Sequence, residues 1–463
     1  MTVCDNEPRV RAIGAGAMRI IVQKFGGTSV GNAERLENVV DIIAKTLEDR
    51  PVIAVVSARS GTSKAEGTTS LLLAAAANAL AGTSFEAELA LIASNHGRNG
   101  FVHRELEKLR GFLSAISVIK ELSPRSQDNV LAVGERLSAY LLARALEARN
   151  VKARFVDLST VVPEGEGQVD PVFFRRLQGR LAELCKPDGD VPVVTGFFGM
   201  VPGGLLSAVG RGYTDFTAAM IAAGLGDREV EEMQVWKEVD GIFTTDPRKV
   251  ASARVLPRIS PAEAAELTYF GSEVLHPFTM ERVVAANVPI RIKNTFHPER
   301  DGTVIAPYGA ERPPGHVTAV TAKRGICSLT ITSNRMFNAH GFLARVFSAF
   351  ERHGVVVDLV STSEVSISCT IEKLQDAEHA RADLEQLGSV HISQGRAIVA
   401  LVGEGMKFSL GTAGKMFATL GAAGVNVEMI SQGASEMNIS CVVDEKDAAR
   451  GVEAIHEAFA LGG

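Results

Sequence analysis

Several things are scarce in this sequence. Cys4, Cys185, Cys327, Cys369 and Cys441 are scattered, with no Cys-x-x-Cys pair and no cluster with histidine. That leaves no basis for a disulfide framework or a zinc site, and reduced thiols in a cytoplasmic protein are the plain reading. Neither sign of charge dominates: the formal net charge is -6 and the pI about 6.0. Composition thus gives no electrostatic case for nucleic acid or an anionic membrane as partner, and any nucleotide site must draw on local positive charge. Long apolar runs are missing too. Leu71–Leu80 is too short to span a bilayer and reads as a buried helix. Residues 1–17 contain Arg9 and Arg11 but no apolar core of a secretory signal, and are expected to be a disordered extension ahead of Met18.

What is present points to a layered protein. A chain of 463 residues is too long for one ordinary core, so two or three domains are expected. From Met18 to about Lys293, strand-like runs at Ile20–Val22, Val52–Val56, Ala153–Val156, Pro192–Thr195, Val235–Lys237 and Ile290–Ile292 alternate with helical patterns at Ala33–Leu47, Ser126–Ala148 and Asp215–Ala223. Alternating β and α units argue an α/β domain with a largely parallel central sheet, whose ligand site sits at the carboxyl ends of the strands. Pro298–Pro314, rich in proline, glycine and charge, reads as a linker. Beyond it lies an internal repeat. Gly341-Phe342-Leu343-Ala344-Arg345-Val346-Phe347 leads to Gly354 and the acidic Asp358, then to a strand at Ser366–Thr370; Gly411 to Phe417 leads to Gly424 and Glu428, then to Asn438–Val442. A repeated helix–glycine–strand–strand unit implies a small α+β module present twice.

Several loops carry groups suited to chemistry. Lys24-Phe25-Gly26-Gly27-Thr28-Ser29-Val30 follows a β-branched strand, and its paired glycines can bring backbone N–H groups to an anion, with Lys24 as a compact charge. The same pattern also makes an ordinary turn. Ser57-Ala58-Arg59-Ser60-Gly61 with Gly67-Thr68-Thr69-Ser70 suits either an anion at a helix start or a simply capped helix. Glu135, in Gly134-Glu135-Arg136, could be a ligand or half of a surface salt bridge. In Gly210-Arg211-Gly212-Tyr213-Thr214-Asp215, the arginine could grip a carboxylate and the aspartate an ammonium, or Asp215 could serve as an N-cap. The stretch from Trp236 to Arg248 could hold a nucleotide through Lys237, Phe243 and Arg248, or be a structural tryptophan with a solvated loop. His276-Pro277 is expected to open a helix, with His276 structural.

In combination and in order, these motifs resemble the aspartokinase family. The matching stretches are KFGGTSV at 24–30, SAR…EGTTSLL at 57–72, GERLS at 134–138, GFFG at 196–199, GRGYTD at 210–215, VDGIFTTDPR at 239–248, GSEVLHP at 271–277 and STSEV at 361–365. The resemblance covers about residues 19–460 and is closest to the fungal-type branch. It implies an α/β fold, a three-layer amino-acid-kinase domain (18–297) with a largely parallel sheet, a linker (298–316), and two α+β, ferredoxin-like ACT modules (317–395 and 396–463) that bind amino acids. The implied chemistry is phosphorylation of the side-chain carboxylate of L-aspartate by ATP with Mg2+, giving 4-phospho-L-aspartate, the first step of lysine, threonine and methionine biosynthesis. A carboxylate nucleophile is already ionised at neutral pH, which fits motifs with no Ser/His or Cys/His constellation.

Carried over by motif, the resemblance makes Lys24, Arg211 and Asp215 catalytic. It gives substrate binding to Ser57, Thr69, Glu135, Phe197, Arg211, Gly212, Thr214 and Asp215. The nucleotide falls to Lys24, Gly26, Gly27, Ser29, Lys237, Glu238, Phe243 and Arg248, and no side chain is assigned as a metal ligand. Glu273 stands where many bacterial members have a nucleotide-facing lysine, and it is left off the site. An amino-acid effector, threonine or lysine, would bind at Asn338, Gly341, Asp358, Thr362, Ser363 and Glu364. A cytoplasmic homodimer or higher homo-oligomer through the ACT modules is implied as well. Two rival expectations are a kinase of another carboxylate or a carbamate, and an amino-acid sensor whose kinase half has decayed. A fused homoserine dehydrogenase is not expected after the second ACT module.

Overall fold

The computed structural model describes residues 18–462 apart from 62–65, 98, 163–169, 200, 202, 206–211, 271–274, 308–315, 334–339 and 434–436, and omits the side chains of 277, 278 and 407. The chain divides into two compact units. The first runs to Trp236 and adds Ala285–Val288; the second holds Lys237–Val284 and Pro289–Gly463.

In the first unit, β1 (Ile20–Phe25), β2 (Val52–Val56), β3 (Ala153–Val156), β4 (Val191–Thr195) and β5 (Val230–Lys237) lie in the order β3-β4-β2-β1-β5. Every pairing among them is parallel. The central strands β1, β2 and β4 are buried along their whole length. They therefore read as unbroken apolar runs, as a sheet covered on both faces requires. β1 continues three residues beyond the expected Val22, so Lys24 belongs to the strand itself. Helices α1 (Ala33–Leu47) and α5 (Pro124–Ala148) pack Val39, Ile43, Leu142 and Leu146 with Val52, Ala54 and Val193. α2 (Thr68–Ala81), α3 (Glu86–His96) and α4 (Gly100–Ile119) build a second cluster with α5. α6 (Pro171–Cys185) and α7 (Tyr213–Leu225) meet closely: a Cβ on Gly224 would stand 2.5 Å from the Gln178 carbonyl oxygen.

Helix starts separate into two kinds. α1, α5 and α6 begin at Asn32, Ser123 and Asp170, whose side chains accept a first-turn N–H, with Pro124 and Pro171 at the first helical position of the latter two. α2 and α7 begin at Gly67 and Gly212, with no side-chain cap. α3 also lacks a side-chain cap, at Phe85, but it is the two glycine starts that border the candidate site.

In the second unit, β7 (Ile290–Asn294) pairs antiparallel with β8 (Thr303–Ile305), which pairs parallel with β6 (Arg258–Ile259). The expected linker thus contains a strand: the β-branched run Thr303-Val304-Ile305 outweighs the neighbouring proline and glycine. Residues 237–284, expected with the catalytic domain, include α8 (Pro261–Tyr269) and α9 (Pro277–Ala285) and fall largely in this unit. α8 starts on a capping box between Ser260 and Glu263, and α9 starts at Pro277, where the sequence placed a helix.

The repeat forms one six-stranded sheet in the order β10-β11-β9-β12-β14-β13. Its strands are β9 (Ala319–Thr332), β10 (Val357–Thr362), β11 (Ser366–Ile371), β12 (Ser389–Val402), β13 (Val427–Ser431) and β14 (Asn438–Asp444). Its helices are α10 (Phe342–Arg352), α11 (Leu374–Glu385), α12 (Thr412–Ala422) and α13 (Ala448–Ala458). β9 and β12 are long and antiparallel, and each is shared. The later part of β9 supplies Leu329 and Ile331 to a core with α10, α11 and β11; its earlier part supplies Val320 to a core with α12, α13, β12 and β14. The boundary placed at residue 396 therefore follows the repeat in sequence, whereas the start of β9, from before it, packs in the core that follows it.

Along β12, Ala397, Val399 and Leu401 point into that second core, while Ile398 and Ala400 point the other way, onto Phe270, Ile326, Leu359 and Val442. Phe270 follows α8 and fills this second face. Phe270→Ala is expected to destabilise the full chain by about 3–5 kcal/mol, read as a lower midpoint in denaturant unfolding; an unchanged midpoint would show that the face collapses without cost.

Candidate active site

The site in the first unit forms where β1, β2 and β4 end side by side. Lys24, buried near the end of β1, puts Nζ 2.7 Å from Asp215 Oδ1. Asp215 lies in the first turn of α7, whose N-cap is Gly212, so the N-cap alternative for Asp215 is displaced by a charge pair. A carboxylate there is also favoured by the helix dipole.

Glu135 is fully buried on α5 and is no surface salt bridge; its neighbour Arg136 forms a largely buried ion pair with Glu105 and lies 3.8 Å from Asp157. The Thr214 hydroxyl donates to Glu135 Oε1 at 2.9 Å, while Oε2 has no hydrogen-bond partner among the described residues. Burial pushes the Glu135 carboxyl up to about 8, against the opposing pull of Thr214, Tyr213, the charge of Lys24 and the Phe197 N–H. Tyr213 is itself raised, by burial first and by Glu135 second. A buried carboxyl with an open oxygen is suited to an incoming ammonium.

Close backbone approach makes this crowding possible. A Cβ on Gly196 would fall 2.5 Å from Thr214 Cγ2, and one on Gly134 would fall 2.9 Å from Ala58 Cβ. Thr195 shapes the turn after β4, donating to the Phe197 carbonyl at 2.9 Å and accepting from the Leu158 N–H at 3.0 Å. Phe197 is buried beside it. In the glycine loop, Ser29 N–H closes on the Gly26 carbonyl at 3.0 Å and Ser60 N–H on the Gly27 carbonyl at 3.0 Å. Ser29 is buried, and Ser57 N–H donates to the Phe25 carbonyl at 3.2 Å. Thr69 lies exposed in the first turn of α2. Lys24, Gly26, Gly27, Ser29, Ser57 and Phe197 thus sit on these strand ends and their loops, Thr69, Gly212, Thr214 and Asp215 at the starts of α2 and α7, and Glu135 within α5. Arg211 lies outside the described residues, as does Glu273. Tyr213 and Gly196 were not singled out in advance, although both lie inside recognised motifs.

The nucleotide-side residues of the second unit are placed differently. Lys237 ends β5, with its carbonyl taking the Thr295 N–H at 2.9 Å; Glu238 is exposed and Phe243 half-buried, bridged to Val255. Arg248 folds onto Asp246 in a two-pronged contact, Nε at 3.0 Å and Nη2 at 3.1 Å, which draws the Asp246 carboxyl down to about 2. Trp236 is buried and stacked on Phe25 with centroids 5.9 Å apart, so its structural reading holds. His276 precedes α9 and is exposed.

In the regulatory sheet, Gly341 is the N-cap of α10 at φ +76°, a conformation suited to glycine. Thr362, Ser363 and Glu364 are exposed at the turn between β10 and β11. Asn338 lies outside the described residues. The Asp358 side chain is 2% exposed. Its Oδ1 takes the Tyr269 hydroxyl at 3.0 Å and the Lys323 ammonium at 3.0 Å, while Oδ2 has no hydrogen-bond partner among the described residues. Lys323 also pairs with Glu372 at 2.6 Å.

Comparisons with known proteins bear on the family and the fold. The amino acid kinase family profile matches residues 19–294, and the ACT domain profile matches 329–386 and 399–459. The chain is 44% identical to an aspartokinase of Schizosaccharomyces pombe, covering 94% of this chain and 92% of that protein. It is 43% identical to an aspartokinase of Saccharomyces cerevisiae, with the same coverage of 94% and 92%. Among solved structures, E. coli aspartokinase III in complex with aspartate and ADP matches with TM-score 0.75 and 30% identity over 95% of this chain and 99% of that one. The Clostridium acetobutylicum aspartate kinase matches with TM-score 0.80 and 25% identity over 95% and 100%.

The buried Glu135 carboxyl has a pH consequence. Its folded value of about 8 lies above the ordinary 4.5, so the native state holds a proton that the unfolded chain has released between those values. That contribution to stability is fully present below the ordinary value and is lost as pH rises through the folded one. Glu135→Gln is expected to flatten the fall in unfolding free energy between about pH 5 and about pH 8; identical slopes in the two proteins would mean that Glu135 is ionised when folded.

Proposed function

The chain belongs to the amino acid kinase family and within it to the aspartokinases, enzymes that move the terminal phosphoryl of ATP to the side-chain carboxylate of L-aspartate; from that premise we propose how its residues divide the work. The observation that carries the reading is the Lys24–Asp215 pair beside the buried Glu135. Lys24 neutralises charge on the transferring phosphoryl group, where a preorganised cation in a water-poor site acts most strongly. Asp215 holds the Lys24 ammonium in place and offers negative charge to the substrate's ammonium; Glu135, which burial keeps protonated, joins it once that neighbouring ammonium favours the ionised carboxylate. Arg211, by its motif, takes the α-carboxylate. Gly26, Gly27 and Ser29 line the phosphates, and Ser57, Thr69, Phe197, Gly212 and Thr214 shape the aspartate side. Lys237, Glu238, Phe243 and Arg248 are assigned to the nucleotide by motif.

The nucleophile is a carboxylate, so no general base is required. Mg2+ would arrive with the nucleotide and neutralise its phosphate charge. Among the described residues no three His, Cys, Asp or Glu side chains gather into a protein cage. That donor set fits a magnesium ion held largely by phosphate oxygens and water.

The two ACT modules make the enzyme feedback-regulated, and we read Gly341, Asp358, Thr362, Ser363, Glu364 and Asn338 as the effector side. E. coli aspartokinase III, similar to this chain at 31% identity and TM-score 0.74, is known in complex with lysine and aspartate. Here fungal-type likeness favours threonine, while the open Asp358 Oδ2 would also suit the ammonium of lysine. Assembly into a homodimer or larger oligomer through the ACT modules belongs to the same reading. A cytoplasmic role at the head of lysine and threonine biosynthesis completes the reading.

Lys24→Ala is expected to lower aspartate hydroxamate formation by about 10²-fold or more, as for other electrostatic transition-state groups. A variant working at the parent rate would remove Lys24 from the mechanism. Inhibition by threonine and by lysine, measured separately and together, is expected to weaken by about tenfold or more in Asp358→Asn. An unchanged inhibition curve would place the effector elsewhere.

A further inference from the structure

We propose that Arg59 is a positioning residue for phosphoryl transfer, clamping the glycine loop of β1 so that its carbonyls turn away from the phosphates. Arg59 is 7% exposed. Its Nε donates to the Val30 carbonyl at 2.6 Å and its Nη1 to the Asn95 carbonyl at 2.6 Å, so one guanidinium joins the glycine loop to the last turn of α3. No carboxylate pairs with it among the described residues, and burial holds its pKa below the usual arginine range.

A buried cation without a counter-ion needs an explanation. The Asn95 carbonyl is one of the unsatisfied groups at a helix C-terminus, the negative end of the dipole, where a guanidinium is well placed. His96 adds no competing charge, because burial, aided by Arg59, lowers its imidazole to about 4. The planar fork of the guanidinium spans two carbonyls that a point charge cannot hold in the same way.

The functional argument comes from the loop's carbonyls. A loop that cradles phosphates must present N–H groups and keep carbonyl oxygens out of the anion's path. Here the Gly26 carbonyl takes Ser29 N–H at 3.0 Å, the Gly27 carbonyl takes Ser60 N–H at 3.0 Å, and the Thr28 carbonyl takes Gly31 N–H and Arg35 Nη1, each at 3.2 Å. The Val30 carbonyl is held by Arg59. The backbone beside it is tied independently of the side chain: the Arg59 carbonyl takes the Thr68 N–H at 2.9 Å, fixing the segment that carries Ser60 to the start of α2. There is no slack between the two loops, since a Cβ on Gly27 would lie 2.4 Å from the Ala58 carbonyl oxygen. Arg59 touches no reacting atom in this account; its guanidinium acts through the Val30 carbonyl, braced on Asn95.

The inference rests on the glycine loop being the phosphate cradle, and the test compares Arg59→Met and Arg59→Lys with the parent and with Lys24→Ala. Initial rates of hydroxamate formation give kcat and separate KM values for ATP and aspartate, and thermal unfolding checks each protein. Arg59→Met is expected to lose about 10²-fold in kcat/KM for ATP, the scale of a small misplacement of reacting groups, with KM for aspartate changed less than about threefold. Arg59→Lys, which keeps the charge and the buried stem, is expected to recover roughly a tenth to a third of the parent value, a partial rescue that a purely structural role would not give. Parent-like kinetics in Arg59→Met would overturn the inference. So would losses in both variants that follow the folded fraction and move both substrates alike. Should Arg59→Met fail to fold, Arg59→Lys decides alone: an ATP-specific loss sustains the clamp and parent-like kinetics end it. Lys24→Ala separates the two levels, because an active Lys24→Ala removes the phosphate reading itself, whereas an inactive one beside a parent-like Arg59→Met removes only the clamp.

Discussion

A lysine ammonium taken almost wholly out of water must have a carboxylate against it, and the Lys24–Asp215 pair fixes where the rest of the catalytic unit can stand. Lys24 is set by the register of β1 between β2 and β5, and Asp215 by the start of α7. Holding them 2.7 Å apart requires α7 to begin tightly against the end of β4. The contact between Gly196 and Thr214 is the visible cost, since no side chain fits at Gly196. The same approach brings Thr214 to Glu135, so one packing decision places a cation, its partner and a second, protonatable carboxyl within one water-poor recess.

Much of this was legible in the residues. The alternation of β-branched runs with helical patterns gave the parallel sheet, because strands buried on both faces have to be apolar throughout. The loops after β1, β2 and β4 could be picked out by their glycines and hydroxyls. What those residues left open was which group each would meet. Glu135 looked the same as any helix-surface glutamate, and its burial depends on α5 packing behind the sheet, a long-range fact that no local pattern encodes. Arg59 stood inside a recognised motif but gave no sign that it would be buried between two carbonyls. The linker reading erred for a related reason: proline and glycine nearby concealed three β-branched residues that a neighbouring strand could recruit.

On the regulatory side, Asp358 is committed to two donors in this structure while one of its oxygens stays open. An effector ammonium at that oxygen would have to share a carboxylate with Tyr269 at the end of α8. Phe270, the next residue, is packed into the face of the same sheet. Ligand chemistry at the repeat and the attachment of α8 therefore draw on adjacent groups, which is the physical requirement for linking the two.

The strand shared between the two cores also bears on how the protein is made. The segment that begins β9 leaves the ribosome before any of the first repeat's helices, yet its neighbours in β12 follow roughly 80 residues later. Until then its β12 side is an unpaired edge, although Val320 N–H can already reach the Thr244 carbonyl, and that edge is exposed to pairing with other nascent chains. The second repeat cannot be finished as an independent piece, because its core takes Val320 from the start of β9, ahead of the first repeat. A chain cut between them would leave one half missing a strand and the other half holding one it cannot use.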